Sequence, residues 1–311
     1  MGVSVESGQV TPAPHLQELA EGVYAYIQPD GGWCVSNAGA LIGPEGVTLI
    51  DATATVPRAL LFRKHLDRVT DRPVKMLVVT HRHGDHHYGA AALAPDAMVV
   101  AHDNARDSIE ADGLNLLGIW PQAAWGDVRL RVPELTYREQ LTLHVGDTQV
   151  QLWHPGPAHT TGDTLAWLPQ QRILFAGDVT FHAVTPLVMM GSVAGTLRTL
   201  RQLRDLDPQV VVSGHGPLGG PEVIDSNIDY LTWVQHVAAD AFAAGLTPLQ
   251  AAQQTDLGRF KALLDSERLV ANLHRAYSEL RGEPEGVELD NYAVLGDVVA
   301  CNGGAPPACL A

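Results

Sequence analysis

The stretch "VVTHRHGDHHYG", residues 78–89, contains four of the chain's 14 histidines and one aspartate within seven consecutive positions. Its first residues end the apolar run "VKMLVVT", whose length and β-branched residues are typical of a strand buried on both faces of a sheet. A lone histidine is more often a hydrogen-bonded or surface residue than a ligand. A cluster of this density directly after a buried strand instead indicates a metal site.

The spacing within this stretch divides its donors between two positions. Side chains two residues apart on an extended chain point to the same side, so His81 and His83 are able to share one ion. Gly84 then allows a tight turn, after which Asp85 and His86 face a second position. Imidazole and carboxylate donors suit zinc, iron or manganese.

On the amino-terminal side of the histidine stretch, the sequence predicts a strand and then a helix. "GVTLID" indicates a strand that ends at Asp51, and "TATVPRALLFRKHLDRV" predicts a helix with Thr55 as its N-cap. The apolar stripe predicted for this helix consists of Leu60, Leu61, Leu66 and Val69. The order is strand, aspartate, helix, strand, and then the cluster of donors.

The same order returns later in the chain. "RILFAGD" predicts a strand ending at Asp178, "SVAGTLRTLRQLRDLD" predicts a helix with a leucine-rich side, and "QVVVSGHG" predicts a strand ending at His215. Two copies of one unit place these donors at neighbouring strand ends, where sites assemble in sheets flanked by helices. The sequence therefore predicts an α/β fold, a four-layer αββα sandwich.

A helical C-terminal region follows the second unit. Pro221 opens a long helical pattern, and "TPLQ", beginning at Thr247, has the spacing of a capping box. We expect residues 1–220 to form the sandwich domain and residues 221–311 to form a helical extension packed on it. Whether this extension caps a substrate site or only packs is left open, with packing as the default.

The later unit also adds donors to the metal site. "GPAHTTGDT" supplies His159, which with Asp178 and His215 complements the histidine stretch. Five histidines and two aspartates in this order, on a duplicated sandwich, are hard to obtain by chance. The candidate metal ligands are His81, His83, Asp85, His86, His159, Asp178 and His215.

Composition limits the possible partners. The chain has 35 acidic and 20 basic side chains, and its formal charge of −15 argues against binding to nucleic acid or to an anionic membrane. The first Lys or Arg is Arg58, which predicts no secretory signal and favours a cytoplasmic protein. Cys34, Cys301 and Cys309 are too few and too scattered for a disulfide framework or a cysteine zinc site, so we expect all three to be reduced and without a role in the chemistry, with Cys34 as a candidate for the wall of a pocket.

These motifs, from residue 22 to about residue 216, resemble the metallo-β-lactamase superfamily. The resemblance implies two divalent metal ions, most readily Zn²⁺, with iron or manganese as alternatives. One would be held by His81, His83 and His159. The other would be held by Asp85, His86 and His215, with Asp178 bridging both.

The resemblance also implies roles around the metals. Asp85 is assigned a catalytic role, carrying a proton while it acts as a ligand, and Asp51 is the buried acid that supports the metal loop. His83 stands where the diiron oxidoreductase branch carries an acid, which argues against that branch. A dinuclear centre of this kind hydrolyses esters, thioesters, lactones and amides, and it also stabilises enolates.

Apolar segments beside the metal residues suggest the substrate. "ADGLNLLGIWPQAAWGD" and "VTFHAVTPLVMMGSVAG" are rich in aromatic residues and methionines, although each residue alone is as compatible with core packing. Together they favour an apolar or aromatic substrate over a sugar or nucleotide. The candidate substrate-binding residues are Trp120, Trp125, Phe181, His182, Met189 and Met190.

A closer resemblance covers nearly the whole chain. "GVYAYIQPDGGWCVSNAG", "LTPLQAA" and "YAVLGDVVACNGGAPPACLA" are similar to the second-ring cyclases of bacterial type II aromatic polyketide pathways, such as that for actinorhodin. The resemblance implies an acyl carrier protein-bound poly-ketone as substrate, closed by an aldol reaction and released by thioester hydrolysis. Arg198, Arg201 and Arg204 are a candidate docking patch for the acidic carrier protein, with a solvated helix face as the simpler alternative.

Three other functional classes compete with this interpretation. One is a plain thioesterase or lactonase without cyclase activity. The second is a nucleic-acid-processing enzyme, which the net charge of −15 disfavours. The third is a non-enzymatic protein in which metal only stabilises the fold. The sequence leaves the ring pattern, the metal and the oligomeric state open.

Overall fold

Strands and their order define the architecture. The computed structural model of the chain describes residues 13–311, and in this range twelve strands form two sheets. The first sheet has the order β1-β2-β3-β4-β5-β6-β7 and the second has the order β12-β11-β10-β9-β8. The strands are β1 His15–Ala20, β2 Val23–Ile27, β3 Ala38–Gly43, β4 Gly46–Ile50, β5 Val74–Val78, β6 Met98–His102, β7 Leu135–Tyr137, β8 Gln140–Val145, β9 Thr148–Trp153, β10 Leu165–Leu168, β11 Ile173–Phe181 and β12 Val210–His215.

Helices cover the outer faces of both sheets. The helices are α1 Val56–Leu66, α2 Gly84–His87, α3 Ala90–Leu93, α4 Asp103–Asp112, α5 Leu116–Ile119, α6 Val193–Asp205, α7 Pro221–Ala243, α8 Pro248–Gln254, α9 Arg268–Leu280 and α10 Asn291–Cys301. A 3₁₀ turn, Gly258–Ala262, precedes α9. Within residues 13–311, no helix combines the length and the apolar character needed to cross a membrane.

Three apolar clusters establish the layers. Side chains from both sheets, including Ile50, Val78 and Phe175, form the core between the sheets. A second cluster packs α1 and α3 against the outer face of the first sheet. A third packs α6, α7 and α9 against the outer face of the second sheet. The predicted four-layer αββα sandwich with a helical C-terminal region is therefore confirmed.

The predicted duplication is also present. Strands β4 and β5 pair in parallel with α1 between them in sequence, and β11 and β12 pair in parallel around α6. Parallel strands bring their carboxyl ends to one edge of a sheet. The histidine stretch follows β5, and His215 ends β12, so the two sheets present these residues at the same end of the sandwich.

The buried face of α1 differs from the predicted one. Leu60 is 51% exposed, Leu61 36% and Val69 45%, whereas Ala59, Phe62 and Leu66 are buried. Of the predicted stripe, only Leu66 faces the core. The cause is Phe62, whose ring stacks on Tyr26 with a centroid separation of 4.4 Å and so fixes which side of the helix faces the sheet.

The C-terminal helices share a core with the sandwich. Leu200 of α6, Leu231 of α7 and Leu273 of α9 belong to one buried cluster. The capping box predicted at Thr247 is present at the start of α8. Helix α7 begins at Pro221, but the division into residues 1–220 and 221–311 stays a prediction. Residues 1–12 of the first predicted domain lie outside the described part of the chain.

Asn272 of α9 ties the helical region to the loop that follows β11. Its buried amide donates to the Pro186 carbonyl at 2.8 Å and accepts from the Val188 N–H at 2.8 Å. Because Asn272→Leu leaves both buried backbone groups unpaired, we expect the free energy of unfolding to fall by roughly 1–3 kcal/mol. Urea unfolding will show this as a lower midpoint at an unchanged slope. Replacing the exposed Gln254 by leucine is the matched control, and equal midpoints for the two variants would contradict the prediction.

Candidate metal centre

Four buried or half-buried side chains converge at the first position. His81 and His83 follow β5, His159 lies in the loop between β9 and β10, and Asp178 lies within β11. Nδ1 of His83 is 3.1 Å from Nε2 of His81 and 2.9 Å from Nε2 of His159. Oδ2 of Asp178 lies 3.4 Å from Nε2 of His159. One donor atom from each residue falls within 4.8 Å of the others.

Asp85, His86 and His215 form the second group, and all three are buried. Oδ2 of Asp85 lies 3.3 Å from Nε2 of His215 and 3.7 Å from Nε2 of His86. Asp178 faces this group too, with Oδ1 at 3.1 Å from Nε2 of His86 and Oδ2 at 3.5 Å from Nε2 of His215. The structure thus brings all seven predicted donors together and places Asp178 between the two groups.

The turn at Gly84 allows one stretch of chain to serve both groups. A Cβ at Gly84 would lie 2.3 Å from the ring of Tyr88, so a side chain at this position would collide with that ring. Tyr88 is itself fixed, because its hydroxyl donates to the Gly113 carbonyl at 3.0 Å. The absence of a side chain at Gly84 therefore makes room for the Tyr88 ring at the start of α2, between His83 and Asp85.

Asp178 does not end its strand as predicted. Strand β11 continues to Phe181, and its register with β12 shifts at Gly177. Gly177 has a φ of +50°, a conformation that side chains rarely adopt. The irregularity lets the Asp178 carboxylate face the histidines while the strand continues past the site.

Hydrogen bonds on the far side of the imidazoles orient their inward nitrogens. Nδ1 of His86 lies 2.8 Å from a carboxylate oxygen of Asp51, as predicted for this buried acid. Nδ1 of His159 donates to the Leu187 carbonyl at 2.5 Å, and Nδ1 of His215 donates to the Gly31 carbonyl at 2.9 Å. Such partners fix ring orientation and tautomer. The sequence did not reveal the two carbonyls, because any residue supplies one.

The donor set fits a pair of divalent cations. Within residues 13–311, Nε2 of His86 and Oδ1 of Asp178 are buried without a hydrogen-bond partner, although they lie 3.1 Å apart. Nδ1 of His83 also lies close to Nε2 of His81 and Nε2 of His159. A proton shared by two of these nitrogens leaves the third without a hydrogen bond. Cations bound between nitrogen and carboxylate donors would satisfy these atoms, whereas orphaned buried groups are otherwise rare.

Electrostatics differ between the two groups in the metal-free chain. Burial lowers the pKa of His81 and His83 well below its ordinary value. Burial also acts to lower the pKa of His215, but the carboxylates of Asp178 and Asp85 outweigh it and raise that pKa to about 9. The pKa of His86 is raised for the same reason, with Asp178 as the largest opposing contribution.

Metal loading of the second group should therefore release protons. At pH 7.5 a pKa of about 9 keeps His215 protonated, and it must lose this proton to act as a ligand. We expect at least one proton released per chain at this group and none at the first, with an affinity for the second ion that rises with pH up to about 9. Calorimetry in buffers of different ionisation enthalpy measures this number. An exposed-site control, His144→Gln, should leave it unchanged, and release of fewer than one proton would contradict the prediction.

An apolar cleft opens onto the two groups. His83, Asp85, Asp178 and His215 lie at its base. Its walls include the predicted residues Trp120, Met189 and Met190. The sulfur of Met190 lies 3.2 Å from Nε2 of His83. The role of these wall residues in substrate binding stays a prediction.

The other three predicted substrate residues lie elsewhere. Trp125 does not line the cleft, because it is buried behind Trp120 and its indole N–H donates to the Trp120 carbonyl at 2.8 Å. Phe181 stacks on the His215 ring with centroids 5.5 Å apart, so it supports a candidate ligand. Nδ1 of His182 lies 2.9 Å from the Pro217 carbonyl oxygen, outside the cleft wall.

Sequence reasoning missed part of the cleft lining. Trp33, Arg268 of α9 and Val298 of α10 also line the cleft. The guanidinium of Arg268 lies 4.3 Å from the centroid of the Trp33 ring and is buried. No local pattern could assign these residues to the site, because their placement depends on how α9 and α10 pack.

Comparisons with known proteins agree on the family. The family model described as the metallo-beta-lactamase superfamily matches residues 31–215. The chain is 26% identical over 210 residues to the 2,4-dinitroanisole O-demethylase subunit alpha of Nocardioides sp. (strain JS1661), covering 67% of this chain and 60% of that protein. It is 22% identical over 259 residues to the linear primary-alkylsulfatase of Pseudomonas sp. (strain ATCC 19151), covering 69% of this chain and 48% of that protein. The chain thus spans about half to three fifths of these relatives.

Solved structures show the same fold. A metallo-beta-lactamase from Pontibacter korlensis superposes with a TM-score of 0.57 at 20% identity, covering 70% of this chain and 99% of that chain. The residues matched by the family model include all seven converging donors, from His81 to His215. The fold shared with the solved structure is the sandwich described above. The chain is a member of the metallo-β-lactamase superfamily, with paired histidine and aspartate clusters suited to a dinuclear metal site.

Proposed function

We propose that this chain is a metal-dependent cyclase of aromatic polyketide biosynthesis. It closes the second ring of a carrier-protein-bound poly-ketone by an intramolecular aldol reaction and hydrolyses the thioester. The observation that carries the proposal is the apolar cleft, lined by Trp33 and Trp120, which opens directly onto both donor groups. A plain metallo-hydrolase of the same fold, a thioesterase or lactonase, is the alternative.

The first requirement is a centre that activates both water and a carbonyl group. His81, His83 and His159 would hold one ion, and Asp85, His86 and His215 the other, with Asp178 shared. When bound, such a pair of divalent cations supplies an activated water at neutral pH and polarises a carbonyl oxygen.

Asp85 is the residue that we propose to carry the proton. Its carboxylate lies at the base of the cleft, 3.3 Å from Nε2 of His215. Burial acts to raise its pKa, but the adjacent His86 and His215 outweigh this and lower it, so the group is ionised at neutral pH. An ionised carboxylate at the cleft is able to accept a proton, at the oxygen that does not face His215, from water or from the carbon that forms the new bond.

The cleft walls supply orientation and exclude water. Trp33 and Trp120 contact each other with ring centroids 5.7 Å apart and give the cleft an aromatic lining, which suits an aromatic, partly cyclised substrate. Leu187 and Met189 also line the cleft. An intramolecular reaction benefits strongly from such positioning, because the reacting atoms are held in one folded arrangement.

The carrier-protein part of the proposal rests on the resemblance and not on the predicted arginine patch. Arg198 pairs with Glu285 at 2.6 Å, and Arg204 pairs with Asp225 at 2.9 Å. Two of the three arginines are thus neutralised at the surface, and their helix face matches the simpler, solvated interpretation.

The experiment that tests the proposal supplies the metal-loaded protein with two substrates, a simple acyl thioester and a poly-ketone thioester mimic. The cyclase predicts release of thiol together with a ring-closed product, detected by mass spectrometry and ultraviolet absorbance. Release of thiol without a ring-closed product would support the plain hydrolase instead. Failure to turn over either substrate, with two metals bound, would reject both.

Trp120 provides a test of the cleft itself. Trp120→Ala removes one ring of the aromatic wall, so we expect kcat/KM for the poly-ketone mimic to fall by about 10- to 100-fold, with a much smaller change for a simple acyl thioester. Trp167→Ala, a buried tryptophan outside the cleft, is the matched control for general destabilisation. An equal loss for both substrates would show that Trp120 does not select the ring system.

A further inference from the structure

Residues 302–311 pack along the aromatic wall of the cleft. After α10 the chain runs back without helix or strand, and the indole N–H of Trp120 donates to the Pro307 carbonyl at 2.9 Å. The guanidinium of Arg58 donates to the Leu310 carbonyl. We call residues 302–311 the tail segment. It is fastened to the site wall by hydrogen bonds and apolar contacts.

Two cysteines meet where the tail segment contacts the wall. Cys309 packs against the apolar cluster that contains Cys34 and Trp120. The proximity of the two thiols raises the pKa of Cys34 and lowers the pKa of Cys309. Cys34 is 3% exposed and lines the cleft, whereas Cys309 is half-buried. The third cysteine, Cys301 on α10, packs against a different cluster.

This placement is not required by the metal chemistry. Neither thiol belongs to the two donor groups. The two residues are 275 positions apart in sequence, 309 minus 34, and come from elements that share no strand pairing. Side-by-side thiols, one of them accessible to solvent, are the arrangement from which a disulfide forms.

We propose that Cys34 and Cys309 are a redox-active pair whose disulfide locks the tail segment onto the wall of the catalytic cleft. The inference does not depend on which substrate the cleft accepts. It assigns a covalent modification site to the rim of the metal centre.

The oxidant is a low-molecular-weight disulfide. The sulfur of Cys309, as its thiolate, attacks one sulfur of that disulfide and expels the first small thiol. The sulfur of Cys34 then attacks Cys309, which forms the internal disulfide and expels the second small thiol. The two cysteines lose two electrons and two protons in all, and the small disulfide is reduced to two thiols. Half-burial of Cys309 allows the first attack, and the contact with Cys34 allows the second.

The first test uses the metal-loaded full chain and oxidised glutathione. Trypsin leaves Cys301 and Cys309 on one peptide, residues 282–311, so the digest is made on Cys301→Ser. We expect the intact mass to fall by two hydrogen atoms and a linked peptide to join residues 1–58 with residues 282–311. Cys34→Ser should instead hold glutathione on Cys309. Independent glutathione adducts on Cys34 and Cys309 in Cys301→Ser would overturn the proposal.

A second measurement remains informative if a variant at the buried Cys34 misfolds. The disulfide closes a very long loop, so oxidation of Cys301→Ser should raise Tm by about 5 °C or more. Cys309→Ser, at a half-buried position in the tail segment, should show no such rise. A similar rise in Cys309→Ser, or none in Cys301→Ser, would exclude a lock between Cys34 and Cys309.

Discussion

Asp178→Asn is expected to lower turnover of a thioester substrate by about 1000-fold or more and to reduce bound metal below one ion per chain. The Asp178 carboxylate contacts the inward nitrogens of four histidines, at distances between 3.1 and 3.8 Å. An amide of the same shape lacks the negative charge that would help to neutralise two cations. Its NH₂ group would also donate hydrogen bonds toward the histidine nitrogens that should bind metal. The loss corresponds to roughly 4 kcal/mol of transition-state stabilisation.

The outcome for Asp178→Asn separates a catalytic centre from a structural one. Asp147→Asn, at an exposed turn, is the matched control and should keep both metal content and rate. If Asp178→Asn lost metal but kept its turnover, the chemistry would lie elsewhere in the cleft. If it kept two ions, the shared position of Asp178 between the donor groups would have no functional meaning.

The donors that follow or end a parallel strand, the histidine stretch after β5 and His215 in β12, were predictable because their positions follow from topology. Each strand-helix-strand unit ends at the same edge of its sheet, so residues at these strand ends are expected to lie together. Asp51 was predictable for the same reason, since it directly follows β4, which pairs with the strand that precedes His81. His159 lies in a loop and Asp178 within β11, so this rule does not place them. Motif spacing alone separated His83 from Asp85 across Gly84.

Features that depend on packing direction were not predictable. The periodicity of α1 allowed more than one apolar face, and the stacking of Phe62 on Tyr26 selected the face that the pattern did not indicate. Trp120 and Trp125 share an irregular segment without a period, so nothing local indicates which ring faces the cleft. The walls from α9 and α10 bring to the cleft residues more than 200 positions away from Trp33.

Gly214→Ala is expected to abolish the metal centre although it changes no donor. A Cβ at Gly214 would lie 1.8 Å from Oδ1 of Asp178 and 2.8 Å from the carbonyl carbon of Gly177. Real Cβ contacts essentially never fall below 3.0 Å, and the second contact is backbone, which cannot rotate away. Either the Asp178 carboxylate leaves the site or β12 moves and takes His215 with it. We expect fewer than one ion per chain and a loss of turnover of about 1000-fold or more.

Gly296→Ala is the matched control for Gly214→Ala. Gly296 lies within α10, and a Cβ there meets nothing within 4 Å, so the same chemical change should keep two ions and stabilise the helix by about 0.5–1 kcal/mol. Metal analysis and thermal unfolding of both variants measure the difference. Metal sites tolerate displacements of their ligands of only about 0.2 Å. A Gly214→Ala protein that folds but binds no metal would therefore show that the close approach of β12 to β11 positions the Asp178 carboxylate between the two donor groups. Full metal content in that variant would instead mean that Asp178 is free to move, and its position between the two groups could not be what assembles them.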